Sequence, residues 1–131
     1  MEEVLKFLQD AGTFYIATDD GGQPRVRPFG AAAIIGGKLY FCTNNKKPVW
    51  KQLLANPKTE ISATAKDGSW IRIAGEAVQD DSDASRQAML DAIPMLKGMY
   101  HVGDGVYEVF YLKNVAAKIE SFAAPPKEYK F

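Results

Sequence analysis

Two pairs of adjacent glycines, Gly21-Gly22 and Gly36-Gly37, each separate two runs rich in aromatic and β-branched residues. Glycine supplies the positive φ angles of tight hairpin turns, so each pair predicts a turn between antiparallel strands. The strands expected around these turns span residues 13–18, 24–35 and 38–43. We predict that the three strands form an antiparallel meander.

The rest of the chain alternates helical and strand-like segments. Helical periodicity is found at residues 2–11, 47–55, 80–93 and 95–101. Further strands are expected at residues 60–65, 69–78, 106–112 and 115–122. The tail, residues 123–131, is expected either to hang loose or to dock on a partner. Together these elements predict a mainly β protein with flanking helices, a six- to seven-stranded antiparallel barrel. A Rossmann fold is disfavoured because no G-x-G-x-x-G turn opens a βαβ unit.

Length and composition favour one soluble domain, residues 1–131. The 47% hydrophobic content is enough for a core that needs no disulfide or metal staple. Cys42 is the only cysteine, which rules out an intrachain disulfide and favours a reducing compartment. No apolar run approaches the roughly twenty residues of a membrane span, and charges interrupt any N-terminal signal sequence. We therefore expect a cytoplasmic protein without a membrane segment.

Charge is balanced overall but uneven along the chain. Sixteen basic residues offset sixteen acidic ones, which argues against a nucleic-acid partner. Between Gly21 and Thr59, however, there is no acidic residue. The basic residues of this stretch are Arg25, Arg27, Lys38, Lys46, Lys47, Lys51 and Lys58. Two interpretations remain: solvated faces, or a local anion site that suits a small phosphorylated ligand.

Two motifs within this acid-free stretch favour the anion site. Strand alternation places Arg25, Arg27 and Phe29 on one face, where guanidiniums can hold a phosphate beside an aromatic ring. Pro28 marks a strand edge or a close ligand approach. The alternative is a solvated edge strand.

The second motif is the junction between the strand at residues 38–43 and the following helix. It consists of Thr43, Asn44, Asn45, Lys46 and Lys47. The free N–H groups and positive dipole end of a helix attract anions. The alternative is an ordinary helix start with two solvated lysines. Because both motifs lie on neighbouring strands, they predict convergence on one phosphate-bearing ligand.

Few residues offer catalytic or metal-binding chemistry. His101 is the only histidine, and its spacing from Cys42 and the carboxylates supports no metal site. No serine or cysteine lies in a nucleophile-elbow context. Trp70, at the start of a strand, is interpreted as core, dimer interface or ligand wall. No catalytic acid or base is predicted.

Five ordered segments resemble the pyridoxamine 5'-phosphate oxidase-like family of FMN-binding split barrels, in its short single-domain bacterial form. They are Phe14–Thr18, Gly22–Phe29, Gly37–Thr43, Gln52–Pro57 and Trp70–Ala77. The resemblance implies a split barrel that forms a homodimer, with each FMN in a groove between subunits.

The resemblance also implies roles for individual residues. Arg27, helped by Arg25, would reach the FMN phosphate, together with the junction Thr43–Lys47, where the choice between Lys46 and Lys47 stays open. The residues expected near the isoalloxazine are Pro28, Phe29, Gly30 and, from the second subunit, Trp70.

The function implied is that of a flavin oxidoreductase that passes electrons from a reduced nicotinamide to a small acceptor. The alternatives are a non-catalytic FMN-binding or deazaflavin-binding module, and a barrel without a ligand. The tail Pro125–Tyr129 does not resemble the C-terminal substrate-binding segment of the true pyridoxamine-phosphate oxidases. Vitamin B6 oxidation is therefore not predicted.

Overall fold

The computed structural model describes all 131 residues as one mainly β domain with flanking helices. The helices are α1 (Glu2–Ala11), α2 (Pro48–Ala55), α3 (Asp83–Ala92) and a 3₁₀ helix (Pro94–Gly98). The strands are β1 (Phe14–Asp20), β2 (Gln23–Phe29), β3 (Ala32–Ile35), β4 (Lys38–Asn44), β5 (Lys58–Thr64), β6 (Trp70–Asp80), β7 (Tyr107–Glu120) and β8 (Lys127–Lys130). No helix is both long enough and apolar enough to span a membrane.

The sheet has the antiparallel order β2-β1-β5-β6-β7-β4-β3, and β8 pairs separately with β7. Strands β2 and β3 lie at opposite ends of this order, yet only Gly30 and Ala31 join them in the chain. The sheet must therefore curl until its two ends meet. No ladder closes the ends, so the barrel is split. The predicted split-barrel fold is confirmed, with eight strands rather than six or seven.

The meander predicted over residues 13–43 is wrong at the connection between its two hairpins. The β1–β2 and β3–β4 hairpins form around their glycine turns, but the single strand predicted over residues 24–35 breaks at Gly30-Ala31. Strands β2 and β3 therefore do not pair with each other. The sequence pattern continues through the break, which is why periodicity alone does not reveal it.

Two expectations for the C-terminal part are also corrected. The two strands predicted over residues 106–112 and 115–122 are one long strand, β7, over residues 107–120, in which Asn114 adopts a φ of 52°. Asn114 lies in a β-bulge opposite Gly75, whose backbone lies against the carbonyl of Lys113. The tail does not hang loose, because β8 pairs with β7 of its own chain. Phe131 exchanges two backbone hydrogen bonds with Val115, of 2.7 and 3.1 Å.

Two apolar cores hold the elements in place. The larger one fills the barrel and centres on Phe14, Phe41 and Phe110, whose rings make edge-on and stacked contacts. The smaller one lies beneath α3 and the 3₁₀ helix and includes Met89 and Leu96. Side chains alternate in β4, so one face of this strand packs on each core. The end of β4 and the start of α2 are thereby fixed between the two cores.

Candidate functional site: a cationic cleft beside an apolar cleft

The Arg27 side chain is held in place by β1 and α2. Its Nη1 donates to the carbonyl of Ile16 at 3.2 Å and to the Thr18 hydroxyl at 2.8 Å. Its Nη2 donates to Gln52 Oε1 at 2.7 Å. The Thr18 hydroxyl in turn donates to the same Gln52 oxygen, at 2.5 Å. This network fixes the guanidinium without neutralising it.

The charge of Arg27 is uncompensated within the chain. The residue is half-buried and makes no ion pair, and burial, followed by the nearby Arg25 charge, lowers the pKa of the guanidinium. Arginine has five N–H donors, of which the network uses three. Two donors and a full positive charge are thus available to an anion. Among the seven basic residues of the acid-free stretch, only Arg25 makes an ion pair, with Asp20 at 3.1 Å.

These groups line a cleft of about 470 Å³, which we call the cationic cleft. Its walls are Asp20, Arg25, Val26, Arg27, Lys47, Pro48, Val49 and Gln52. Helix α2 begins in this cleft, with Pro48 in its first turn, no side-chain cap and no acidic residue. Its dipole therefore adds positive potential to that of Arg27 and Lys47.

A second cleft, of about 270 Å³, adjoins the first, since Lys47 lines both. We call it the apolar cleft. The end of β2, the β2–β3 junction and β4 contribute Pro28, Phe29, Gly30, Ala31, Cys42 and Thr43. The 3₁₀ helix and the residues after it contribute Met95, Leu96, Met99 and Tyr100. No acidic side chain lines this cleft.

Thr43 provides an unsatisfied polar group in the apolar wall. The residue is 4% exposed, and its hydroxyl has no hydrogen-bond partner in the protein. Buried polar atoms are almost always paired, so this hydroxyl keeps an unused hydrogen-bonding capacity in the wall of the cleft. The neighbouring thiol is inert, because burial raises the pKa of Cys42 to about 11.

The structure brings most of the predicted site residues to these clefts. Lys47 borders both clefts, whereas Lys46 lines a neighbouring one that shares Asp20, Pro48 and Gln52 with the cationic cleft. Asn45 turns away, donating to the carbonyl of Gly105 at 2.9 Å. Of the two lysines, only Lys47 lines the same cleft as Arg27.

Trp70 lies outside both clefts of its own chain. Its Nε1 donates to Glu120 Oε2 at 2.9 Å, and its ring packs against Phe122 with centroids 5.2 Å apart. Asn44 lies beside the apolar cleft, where it contacts Tyr100 at 3.2 Å.

Sequence reasoning missed several residues that shape the clefts. They are Thr18, Gln52, Met95, Met99 and Tyr100. Helical spacing offered a signal for Gln52, which follows Pro48 by four residues in α2. The sequence gives no sign, however, that the segment after α3 folds over the β2–β3 junction.

Comparison with known proteins agrees with this architecture. A family model described as pyridoxamine 5'-phosphate oxidase matches residues 1–111. The chain belongs to this family. It is 44% identical to a NimC/NimA family protein of Clostridium acetobutylicum, with a TM-score of 0.98 over 100% of this chain and 92% of that one. No curated protein matches the chain significantly.

More distant solved structures share the fold alone. One is an FMN-binding, pyridoxamine 5'-phosphate oxidase-related protein of Nostoc punctiforme, with 15% identity and a TM-score of 0.67, covering 96% of this chain and 90% of that one. Another is a heme-binding protein of Mycobacterium smegmatis, with 20% identity and a TM-score of 0.72. It covers 94% of this chain and 57% of the mycobacterial chain.

Proposed function

We propose that this protein binds FMN and acts as an oxidoreductase, passing electrons from a reduced nicotinamide to a small acceptor. The observation that carries the proposal is the adjacency of the two clefts. A half-buried, uncompensated guanidinium lies in one, and an apolar slot with an orphaned hydroxyl opens beside it. FMN has the matching halves, a phosphate dianion and a flat, largely apolar ring system with polar edges.

The residues present fit this cofactor. Arg27, Lys47 and the start of α2 would hold the phosphate, in charge-assisted hydrogen bonds stronger than neutral ones. Pro28, Phe29 and Gly30 would face the isoalloxazine. The hydroxyl of Thr43 would find its missing partner at a polar ring edge.

Bound FMN would supply the two-electron chemistry, and the protein would supply grip, orientation and a dry environment. Met95 and Met99, which are 81% and 66% exposed, leave one side of the apolar cleft open to solvent. A second molecule, donor or acceptor, can approach from this side. This access supports an enzyme that turns over a substrate rather than a module that only binds FMN.

We further propose that the active species is a homodimer in which the partner's Trp70 completes the flavin groove. Trp70 lines neither cleft of its own chain, and the neighbouring Phe122 is 99% exposed. An exposed phenylalanine packed on a half-buried tryptophan supports an interface near the start of β6. Light scattering should give twice the mass of one chain when FMN is bound. The mass of a single chain would rule out the shared groove.

The test of the cofactor is an absorption spectrum of the purified protein, followed by anaerobic addition of NADH or NADPH. Oxidised flavin bands that bleach on addition support the oxidoreductase. Flavin bands that persist indicate a binding module, and a deazaflavin spectrum indicates the related cofactor. A heme spectrum would contradict the proposal. The only histidine, His101, lies outside the apolar cleft and so offers no imidazole ligand there.

A further inference from the structure

Tyr100 is the one phenol of the apolar cleft, and its position is fixed on two sides. Its ring stacks on that of Tyr107, with centroids 5.0 Å apart and planes inclined by 15°. The Tyr107 hydroxyl is itself anchored, donating to the carbonyl of Arg86 at 2.9 Å. The Tyr100 N–H donates to the carbonyl of Leu96 at 2.9 Å. The Tyr100 hydroxyl is therefore held at a defined place in the cleft.

The hydrogen-bond network also determines what this hydroxyl can do. Asn44 Oδ1 accepts the N–H of Lys46 at 3.0 Å, which fixes the orientation of the Asn44 amide. Asn44 Nδ2 must then donate to the Tyr100 oxygen, 3.2 Å away. No protein group accepts the Tyr100 hydroxyl proton. The oxygen is occupied as an acceptor, and the proton remains free for a ligand in the cleft.

The other proton-bearing groups of the apolar cleft are less suited to act as a donor. Thr43 is buried and Cys42 half-buried in the strand wall, where the cofactor ring would cover both. Lys47 borders the cationic cleft and would be engaged by the phosphate. Tyr100 belongs instead to the segment beside the exposed Met99, on the side from which a second molecule can enter.

From this arrangement we propose that Tyr100 is a catalytic residue that donates a proton to the acceptor, and that the acceptor is a neutral quinone-like compound. The proposal rests on the proposed function. Apolar walls, the absence of carboxylates and one fixed hydroxyl donor suit a flat, conjugated carbonyl compound. Bound reduced FMN would supply two electrons and one proton to the quinone, together as a hydride. Tyr100 gives its proton to the carbonyl oxygen, the quinone leaves as a hydroquinone, and water returns a proton to Tyr100.

The test is the reoxidation of FMN-loaded protein that has been reduced anaerobically with dithionite. Stopped-flow mixing compares p-benzoquinone, which needs protons, with ferricyanide, which takes one electron and no proton. Tyr100→Phe keeps the stack on Tyr107 and should slow reoxidation by the quinone roughly 100-fold, the usual scale of general acid catalysis. Reoxidation by ferricyanide and FMN affinity should not change. The wild-type quinone reaction should be slower in D₂O, and the variant should lose this isotope effect.

A matched control is Tyr111→Phe, which removes a hydroxyl from a half-buried tyrosine of β7 outside both clefts. It should behave as wild type. Wild-type quinone kinetics in Tyr100→Phe would overturn the role of Tyr100, as would an equal slowing with ferricyanide. Failure to take up FMN would overturn this role and the proposed function together. Reduction by dithionite but not by nicotinamide would overturn only the proposed electron donor.

Discussion

Replacing Arg27 with alanine should weaken FMN binding far more than it weakens riboflavin binding. The guanidinium has two N–H donors left for a ligand and no carboxylate partner within the chain. A hydrogen bond to a charged group contributes about 1.5–3 kcal/mol. The loss corresponds to roughly 10- to 150-fold weaker FMN binding, since about 1.4 kcal/mol is tenfold. Riboflavin lacks the phosphate, so its affinity should fall much less.

Two further variants make this test specific for the site. Lys38→Ala removes a charge from the same acid-free stretch, but Lys38 is exposed and lies over the Tyr111 ring at 4.3 Å, outside both clefts. Its effect should be small and should fade with salt, because exposed charges are screened. Gln52→Glu places a carboxylate where an oxygen already lies 2.7 Å from Arg27 Nη2. The resulting ion pair should neutralise the guanidinium and weaken FMN binding without removing it.

Affinities are best measured by calorimetry at fixed ionic strength, with thermal melting of each variant in the absence of flavin. Melting separates lost affinity from lost structure, because Arg27→Ala also removes three internal hydrogen bonds. If Arg27→Ala and Lys38→Ala weakened FMN binding equally, the assignment of Arg27 to the FMN phosphate would be wrong. The basic residues would then attract FMN only through their combined positive charge, even though the split-barrel fold would still hold.

The remaining predictions concern stability. Gly75→Ala should lower the free energy of unfolding by about 1–3 kcal/mol, because its Cβ would lie 3.3 Å from the Lys113 carbonyl oxygen; an unchanged melting temperature would contradict the close contact. Burial raises the pKa of Cys42 from its ordinary 9.0 to about 11, so the unfolded chain loses this proton first as pH rises. The free energy of unfolding should therefore fall by up to about 3 kcal/mol between those pH values. Urea titrations at each pH should show that Cys42→Ala removes this contribution to the fall. Phe131→Ala should cost roughly 2 kcal/mol, about half the loss for a fully buried phenylalanine, and no loss in urea unfolding would mean that the tail is not docked.

The sequence predicts the local elements of this fold better than their connections. The glycine pairs specify two hairpins, since positive φ angles are required there regardless of context. The break at Gly30-Ala31 is not visible, because both sides of it keep a strand-like pattern and only the curled sheet separates them. Strand β8 was missed for a related reason. Its four residues are too few for a periodic signal, and its partner is the long strand β7.

The candidate site likewise contains residues that the sequence reveals and residues whose role only the folded structure reveals. Arg27 and Lys47 belong to a stretch without acidic residues, so their charge is evident from composition. Gln52 and Thr18, which orient Arg27, are ordinary polar residues whose role depends on the approach of α2 to β1. Tyr100 was missed because the 3₁₀ helix offers only a short apolar pattern. Its place in the cleft arises from tertiary packing that no local pattern specifies.

The most direct test of FMN binding across the two clefts is a crystal structure of the protein with FMN bound. The proposed FMN site predicts the phosphate within hydrogen-bonding distance of Arg27 and Lys47, at the start of α2. It places the isoalloxazine in the apolar cleft, with a polar ring atom on the hydroxyl of Thr43. A phosphate bound elsewhere, or an isoalloxazine outside the cleft between Gly30 and Tyr100, would contradict it.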